Sequence, residues 1–384
     1  MIELKKMQFR QAFNAEPVLL VRSPGRINLI GEHTDYNGGY VLPAAIDKAV
    51  YFAAAPRTDR ECHFIAVDLQ EEIIVSLDHI SKRDTATWAN YLLGVIDQLQ
   101  KMGKEMQGFN LLFGGDLPQG GGMSSSAAIE NGIGFMLNEL FDLGLSRIDL
   151  LRISQKAENQ FVGMNCGIMD MFASMMGKEN AVIRLDCRSL EYEYYPFESA
   201  GYSLVLCDSN VKHQLVDSEY NTRRQECEEG VAVLSGFDAG IHTLRDVSFD
   251  FLKQHQADLS EVVFRRCKYV VEEIDRVQKA CEALEINDFV TFGQLMFATH
   301  QGLNEEYEVS CPELNFLVEM AHLDSNVLGS RMMGGGFGGC TINLIKTAGV
   351  DAFVALAGAA YQERFSLQMP VYRVALKDGT SSII

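Results

Sequence analysis

Residues 116–130, DLPQGGGMSSSAAIE, constrain this chain more than any other stretch. They join an apolar strand-like run, FNLLF (109–113), to a helical pattern over about 125–142. The joint is glycine, serine and alanine with almost no side-chain bulk. The free N–H groups and positive dipole end of a helix bind anions, and bare backbone lets an anion come close. The stretch lacks the Lys that ends a Walker-type phosphate loop and is not a G-x-G-x-x-G turn. Two readings stay open here: a tight strand-to-helix turn with a serine cap, or a phosphate cradle of another kind. A cap needs one oxygen, and three serine hydroxyls are present. Hydroxyls beside a phosphate also suit Mg²⁺, a hard ion that prefers oxygen.

Around this joint, runs at 18–22, 40–46, 63–68, 71–77 and 181–186 read as strands, and helical patterns cover about 86–103 and 149–162. From about residue 200 the pattern changes. A strand at 202–208 is followed by charged amphipathic helices at about 218–235, 259–285 and 288–303. SCPELNFLVEMA (310–321) carries a helix start, with Ser310 as candidate cap and Pro312 in the first turn. Segments 340–345, 350–365 and 370–376 close as strand, helix and strand. Strands early and helices later predict an α+β class with two lobes meeting at a cleft.

Composition narrows the function. With a formal net charge of −19, a general nucleic-acid or anionic-membrane role is disfavoured, since both depend on clustered Lys and Arg. The 9 cysteines are dispersed with no C-x-x-C pair, which fits a reducing compartment and argues against a disulfide framework or a zinc site. The first 13 residues lack a continuous apolar core, and no run approaches membrane-spanning length. The expectation is a cytoplasmic protein of two domains.

Three further segments concentrate chemistry. SPGRINLIGEHTDYNGGYVLP (23–43) gathers Arg26, Glu32, His33, Asp35 and Tyr36 among glycines. That density suits a small polyhydroxylated ligand, although Asp and Asn also build plain turns. In KAENQFVGMNCGIMDMFASMMG (156–177), Asp170 stands in an apolar run, so it is expected to be partly buried, unless it simply caps a helix. Glu158 shares a helix face with Leu151, Ser154 and Phe161 and is expected to point inward, the alternative being a helix-edge residue reaching solvent. RMMGGGFGGCTI (331–342) has five glycines around one Phe, more than a turn requires.

Together these segments resemble the galactokinases. GRINLIGEHTDYNGGYVLP is similar to the signature of that family. LPQGGGMSSSAA and MGGGFGGC resemble the second and third motifs of the wider GHMP kinases, and AENQFVGMNCGIMD and SEYNTRRQECE also match. The resemblance implies a GHMP kinase fold. Its N-terminal lobe, over 1–198, would be like ribosomal-protein S5 domain 2, and its C-terminal lobe, over 199–384, ferredoxin-like. The active site would lie in the cleft between them. It implies ATP-dependent phosphorylation of the anomeric hydroxyl of galactose, the entry step of galactose catabolism by the Leloir pathway. Asp170 would be the base and Arg26 its partner. Glu32, His33, Thr34, Asp35 and Tyr220 would hold the sugar. Gly120, Gly121, Gly122, Met123, Ser124, Ser125 and Ser126 would wrap the ATP phosphates, and Ser126 with Glu158 would ligate Mg²⁺. Trp88 falls where the family has an aromatic near the nucleotide. No protein partner is indicated, and the chain is expected to act as a monomer.

Three positions depart from the family pattern. Met171 replaces the usual Gln, Met333 the usual Thr and Met123 the usual Leu. The first two remove hydrogen-bonding groups, so rate or affinity is expected to differ from relatives. Two rivals remain: a kinase for N-acetylgalactosamine, and a non-catalytic galactose and ATP sensor. Intact SSSAA and Asp170 count against the sensor.

Overall fold

A computed structural model describes residues 1–118, 121–197, 201–211 and 216–383. The first half contains α1 (Ile2–Phe13), β1 (Leu19–Asn28), β2 (Tyr40–Val41), β3 (Pro43–Pro56), β4 (Glu61–Ala66), β5 (Glu71–Ser76), α2 (Ala89–Lys101), β6 (Phe109–Gly115), α3 (Ser125–Leu140), α4 (Arg147–Lys156), α5 (Met169–Met176), β7 (Ala181–Asp186) and β8 (Tyr192–Pro196). The second contains β9 (Tyr202–Asp208), α6 (Val216–Leu234), α7 (Phe249–Gln254), α8 (Glu261–Glu285), α9 (Phe289–Glu305), α10 (Pro312–Leu323), β10 (Val327–Met332), β11 (Cys340–Lys346), α11 (Val350–Phe365), β12 (Val371–Val374) and β13 (Ser381–Ser382). No helix among the described residues is long and apolar enough to cross a membrane.

Three sheets organise the fold. A six-stranded sheet runs β13-β1-β3-β6-β4-β5, a four-stranded sheet β10-β11-β9-β12, and a three-stranded sheet β2-β7-β8. β9 shows how the second lobe is layered. Leu204 and Leu206 join the core shared with the first half, while Val205 and Cys207 pack with α10 and α11 residues such as Leu317 and Phe353. Side chains alternate across a strand, so a strand buried on both faces reads as a continuous apolar run. The expected lobe boundary at 198/199 lies outside the described residues. The chain does not end in the second lobe: β13 returns to the first sheet, where Ser382 pairs with Val21.

Several elements differ from their sequence expectation. The pattern at 149–162 is not one helix: α4 ends at Lys156, and Ala157–Val162 continues as a wider π turn. Such turns recur at functional sites, and this one carries Glu158. Ser310 does not cap α10. Cys311 occupies that position, and the Ser310 hydroxyl donates to Asn315 Oδ1 at 2.6 Å. Pro312 is the first helical residue, where its missing N–H costs nothing.

Candidate functional site

A cavity of about 460 Å³ lies between the halves of the chain. It is lined by Arg26, the 32–35 turn, 122–126, Glu158, Asp170, Tyr220 and 333–339. Its centre is an ion pair. Arg26 reaches it from β1, at a register shift between Pro24 and Arg26. Gly25 makes room there, since a Cβ would stand 2.8 Å from the Met123 carbonyl oxygen, and the Arg26 N–H donates to that carbonyl at 3.1 Å. Arg26 Nε donates to Asp170 Oδ1 at 2.6 Å and Nη2 to Oδ2 at 3.0 Å, a bidentate pair. Nη1 goes to the Gly122 carbonyl at 2.5 Å. Asp170 is the second residue of α5 and not its cap, and its side chain keeps 27% exposure against 5% for Arg26. The carboxylate is therefore held from behind and open to the cavity.

The serines divide the labour. Ser124, at the cap position of α3, sits at φ 55° in the left-handed region and makes no capping bond. Its hydroxyl donates to Asp170 Oδ2 at 2.5 Å. Ser125 donates to the Pro118 carbonyl at 3.2 Å, and the Ser126 hydroxyl lies beside Glu158. Glu158 is buried, which raises its pKa, and also accepts from Cys166 Sγ at 3.1 Å. A hydroxyl and a carboxylate meeting on the wall of a cavity are the hard oxygen donors that Mg²⁺ takes, with phosphate oxygens and waters completing its shell. Gly120 lies outside the described residues. Gly121 is buried outside the lining, and Met123 lines the cavity while packing into the apolar core.

At the other end, side chains dominate. His33 has φ 63°, and its Nδ1 pairs with the Tyr36 hydroxyl at 2.8 Å, which pairs with Tyr307 at 2.8 Å. Burial and the nearby Arg223 push the His33 pKa down to about 3, so the ring is neutral. Asp35 is pushed up to about 7, first by burial and then by the Asp170 charge. Tyr220 packs its ring 5.4 Å from His33 and 5.5 Å from Tyr36. Thr34 departs from the expectation that it holds a ligand. It is fully buried, with its hydroxyl between the carbonyls of Gly31 (2.9 Å) and Tyr40 (2.6 Å), so it shapes the turn instead. Trp88 does not line the cavity either: its Nε1 donates to Glu71 at 2.6 Å, while Tyr91, three residues on, is in the lining.

From the second lobe comes the 333–339 loop, packed backbone to backbone against the first. A Cβ on Gly122 would lie 3.4 Å from the Met333 carbonyl, and one on Gly339 3.8 Å from the Gly122 nitrogen. Phe337 holds φ 58°. Sequence reasoning did not single out Gly167, where a Cβ would fall 1.7 Å from Asp35 Oδ2, or Cys166, although both lie within the 156–177 segment. Of the departures from the family pattern, Met171 is fully buried in the core away from the cavity, whereas Met333 lines it.

Comparison with known proteins identifies the family. Residues 7–56 match the family model described as galactokinase galactose-binding signature, 90–178 that of the GHMP kinases N terminal domain, and 269–361 that of the GHMP kinases C terminal. The chain is 40% identical to a galactokinase of Roseiflexus sp., covering 98% of this chain and 96% of that one. It is 41% identical to a galactokinase of Clostridium acetobutylicum, covering 100% and 99%. The crystal structure of Lactococcus lactis galactokinase complexed with galactose superposes with a TM-score of 0.95 at 35% identity, over 99% of both chains. A mevalonate kinase shares the fold at a TM-score of 0.67 and 17% identity, over 94% of this chain and 99% of that one.

Proposed function

The chain belongs to the galactokinase family and is a GHMP sugar kinase, and on that premise we propose that it moves the γ-phosphoryl group of ATP onto the anomeric hydroxyl of galactose, yielding galactose 1-phosphate and ADP. The observation that carries this reading is the bidentate Arg26–Asp170 pair, open to a cavity with sugar-type side chains on one side and two glycine loops on the other.

Phosphoryl transfer asks the protein mainly to position groups and neutralise charge. Asp170 accepts three hydrogen bonds from described residues, and a carboxylate has about four acceptor positions. The remaining one, on Oδ1, receives the anomeric hydroxyl, orients it and takes its proton as the new O–P bond forms. Arg26 keeps Asp170 in place and adds positive charge where the transferred group gains negative charge. Glu32, His33, Asp35 and Tyr220 hold the sugar. The backbone at 122–126, with Gly338 and Gly339 facing it, receives the nucleotide phosphates. Ser126 and Glu158 would hold Mg²⁺, which when bound offsets phosphate charge. We place the enzyme in the cytoplasm as a monomer.

Mass-spectrometric product analysis with Mg-ATP and galactose, N-acetylgalactosamine, glucose or no sugar tests the reading. A sugar monophosphate is expected with galactose and not with glucose. Galactose binding without product would reject the kinase assignment in favour of a sensor.

A further inference from the structure

Among the described residues only one carboxylate oxygen of Glu32 takes hydrogen bonds, and its partners lie in the other lobe. Arg331, on β10, is fully buried, and all its N–H groups are engaged. Nε donates to the Leu29 carbonyl at 2.7 Å. Nη1 donates to the Met332 carbonyl at 2.6 Å and to Glu32 Oε1 at 3.1 Å. Nη2 donates to the Asn28 carbonyl and to the same Oε1 at 3.1 Å. The Gly334 N–H, in the second lobe's glycine loop, gives Oε1 a further bond of 2.8 Å. A carboxylate oxygen has about two lone-pair positions, so Oε1 is saturated. Oε2 takes no hydrogen bond from the described residues, and Glu32 lines the cavity.

We propose that Arg331 is a positioning residue for sugar selection: by clamping Glu32 Oε1 it leaves Oε2 as a fixed acceptor, which a ligand hydroxyl can meet only by donating. This rests on the reading of the cavity's sugar end given above. Arg331 touches no substrate. Its bonds to the Asn28 and Leu29 carbonyls tie the end of β1 to the second lobe, and the Tyr269 hydroxyl holds the Glu32 carbonyl at 3.0 Å, so the acceptor is fixed through backbone as well as side chain. Lys at 331 could supply the charge but has three donors and no planar fork.

Titration calorimetry on the full chain, with galactose, a set of deoxygalactoses each lacking one hydroxyl, and Mg-ATP, tests the clamp. The wild-type chain should bind one deoxy sugar about 100-fold or more weakly than galactose, because Oε2 is then left unpaired. In Arg331→Met that discrimination should shrink to within about threefold, with Mg-ATP affinity unchanged and partial recovery in Arg331→Lys. Glu32→Gln gives a second, independent reading. The clamp accepts only the amide oxygen at Oε1, which puts the NH₂ group at the Oε2 position and turns an acceptor into a donor. Galactose affinity should then fall by about 100-fold or more.

Retained discrimination in Arg331→Met overturns the clamp. So does Glu32→Gln binding galactose within about tenfold of wild type, since the two ends of the amide would then be free to exchange. If Arg331→Met does not fold, the Gln result decides alone. A wild-type chain that binds none of the sugars overturns the functional reading itself, and the clamp with it.

Discussion

The two ends of the cavity are built on opposite plans. At the sugar end, two charged side chains are locked by partners remote in sequence: Arg26 by Asp170, 144 residues on, and Glu32 by Arg331, 299 residues on. His33 is held through Tyr36 to Tyr307. At the phosphate end two glycine-rich loops face each other, and the chain takes left-handed conformations at Gly122, Ser124 and Gly339. Choosing among hydroxyls that differ only in direction needs donors and acceptors that cannot turn. Holding a phosphate needs N–H groups and room, which glycine supplies without a side chain.

The largest predicted effect falls where the two ends meet. Asp170→Asn keeps the size and most hydrogen bonds of the site but loses the base. Turnover should fall by about 10²–10⁴-fold, while galactose Kd changes little. Near-normal turnover would remove Asp170 from the mechanism. One methyl group at each end then separates the plans. In Gly167→Ala the new Cβ would lie 1.7 Å from Asp35 Oδ2, so Asp35 must move. Galactose KM should rise by about 10–100-fold with ATP KM unchanged. In Gly122→Ala the residue would have to hold φ +69° with its Cβ 3.4 Å from the Met333 carbonyl, and ATP KM should rise instead. Equal shifts of both constants in both variants would show that the ends are not separable.

The same contrast explains what the sequence made legible. Glycine density is a local property of the backbone, so 116–130 and 331–342 announced close approach directly. Asp170 and Glu158 stood out as carboxylates in apolar or inward-facing settings, and both line the cavity. Arg331 did not: it stands at the head of the glycine-rich 331–342 segment, and nothing near it in sequence marks it until the fold brings Glu32 to it. Thr34 could not be told from its neighbours: whether a hydroxyl faces a ligand or its own turn depends on the φ and ψ of Gly31–Tyr40. The resemblance supplied the family, and the contacts that hold each group in place came only with three-dimensional register. α1 and the polar strand β8 were missed for a related reason, since each is stabilised by what it packs on more than by its own pattern.

A smaller effect should appear with pH, and only at the sugar end. Asp35 is raised to about 7 by burial and the Asp170 charge, so it gains a proton as pH falls through 7. The protonated form is a poorer acceptor for sugar hydroxyls. Galactose KM should therefore climb below pH 7, by up to about tenfold per unit, while ATP KM stays flat. In Asp35→Asn the galactose dependence should disappear. A pH-independent galactose KM in the wild-type chain would mean that Asp35 does not accept from the sugar.

The smallest effect sits behind the phosphate end and concerns stability. Glu130 lies one helical turn after Ser126 on α3, is fully buried, and neither carboxylate oxygen has a hydrogen-bond partner among the described residues. No side chain locks it, in contrast to Glu32 and Asp170, each held by an Arg. Burial, and then the Glu158 charge, raise its pKa well above the ordinary value. A raised acid binds its proton more tightly folded than unfolded. The linked stability is therefore present below the unfolded pKa and is lost as pH rises from there toward the folded pKa. Glu130→Gln has no proton to lose. It should match the wild-type chain near pH 5 and exceed it at pH 8, by on the order of 1 kcal/mol in denaturant unfolding. A gain that is the same at both pH values would mean that Glu130 has a partner and that this end, too, is held by side chains.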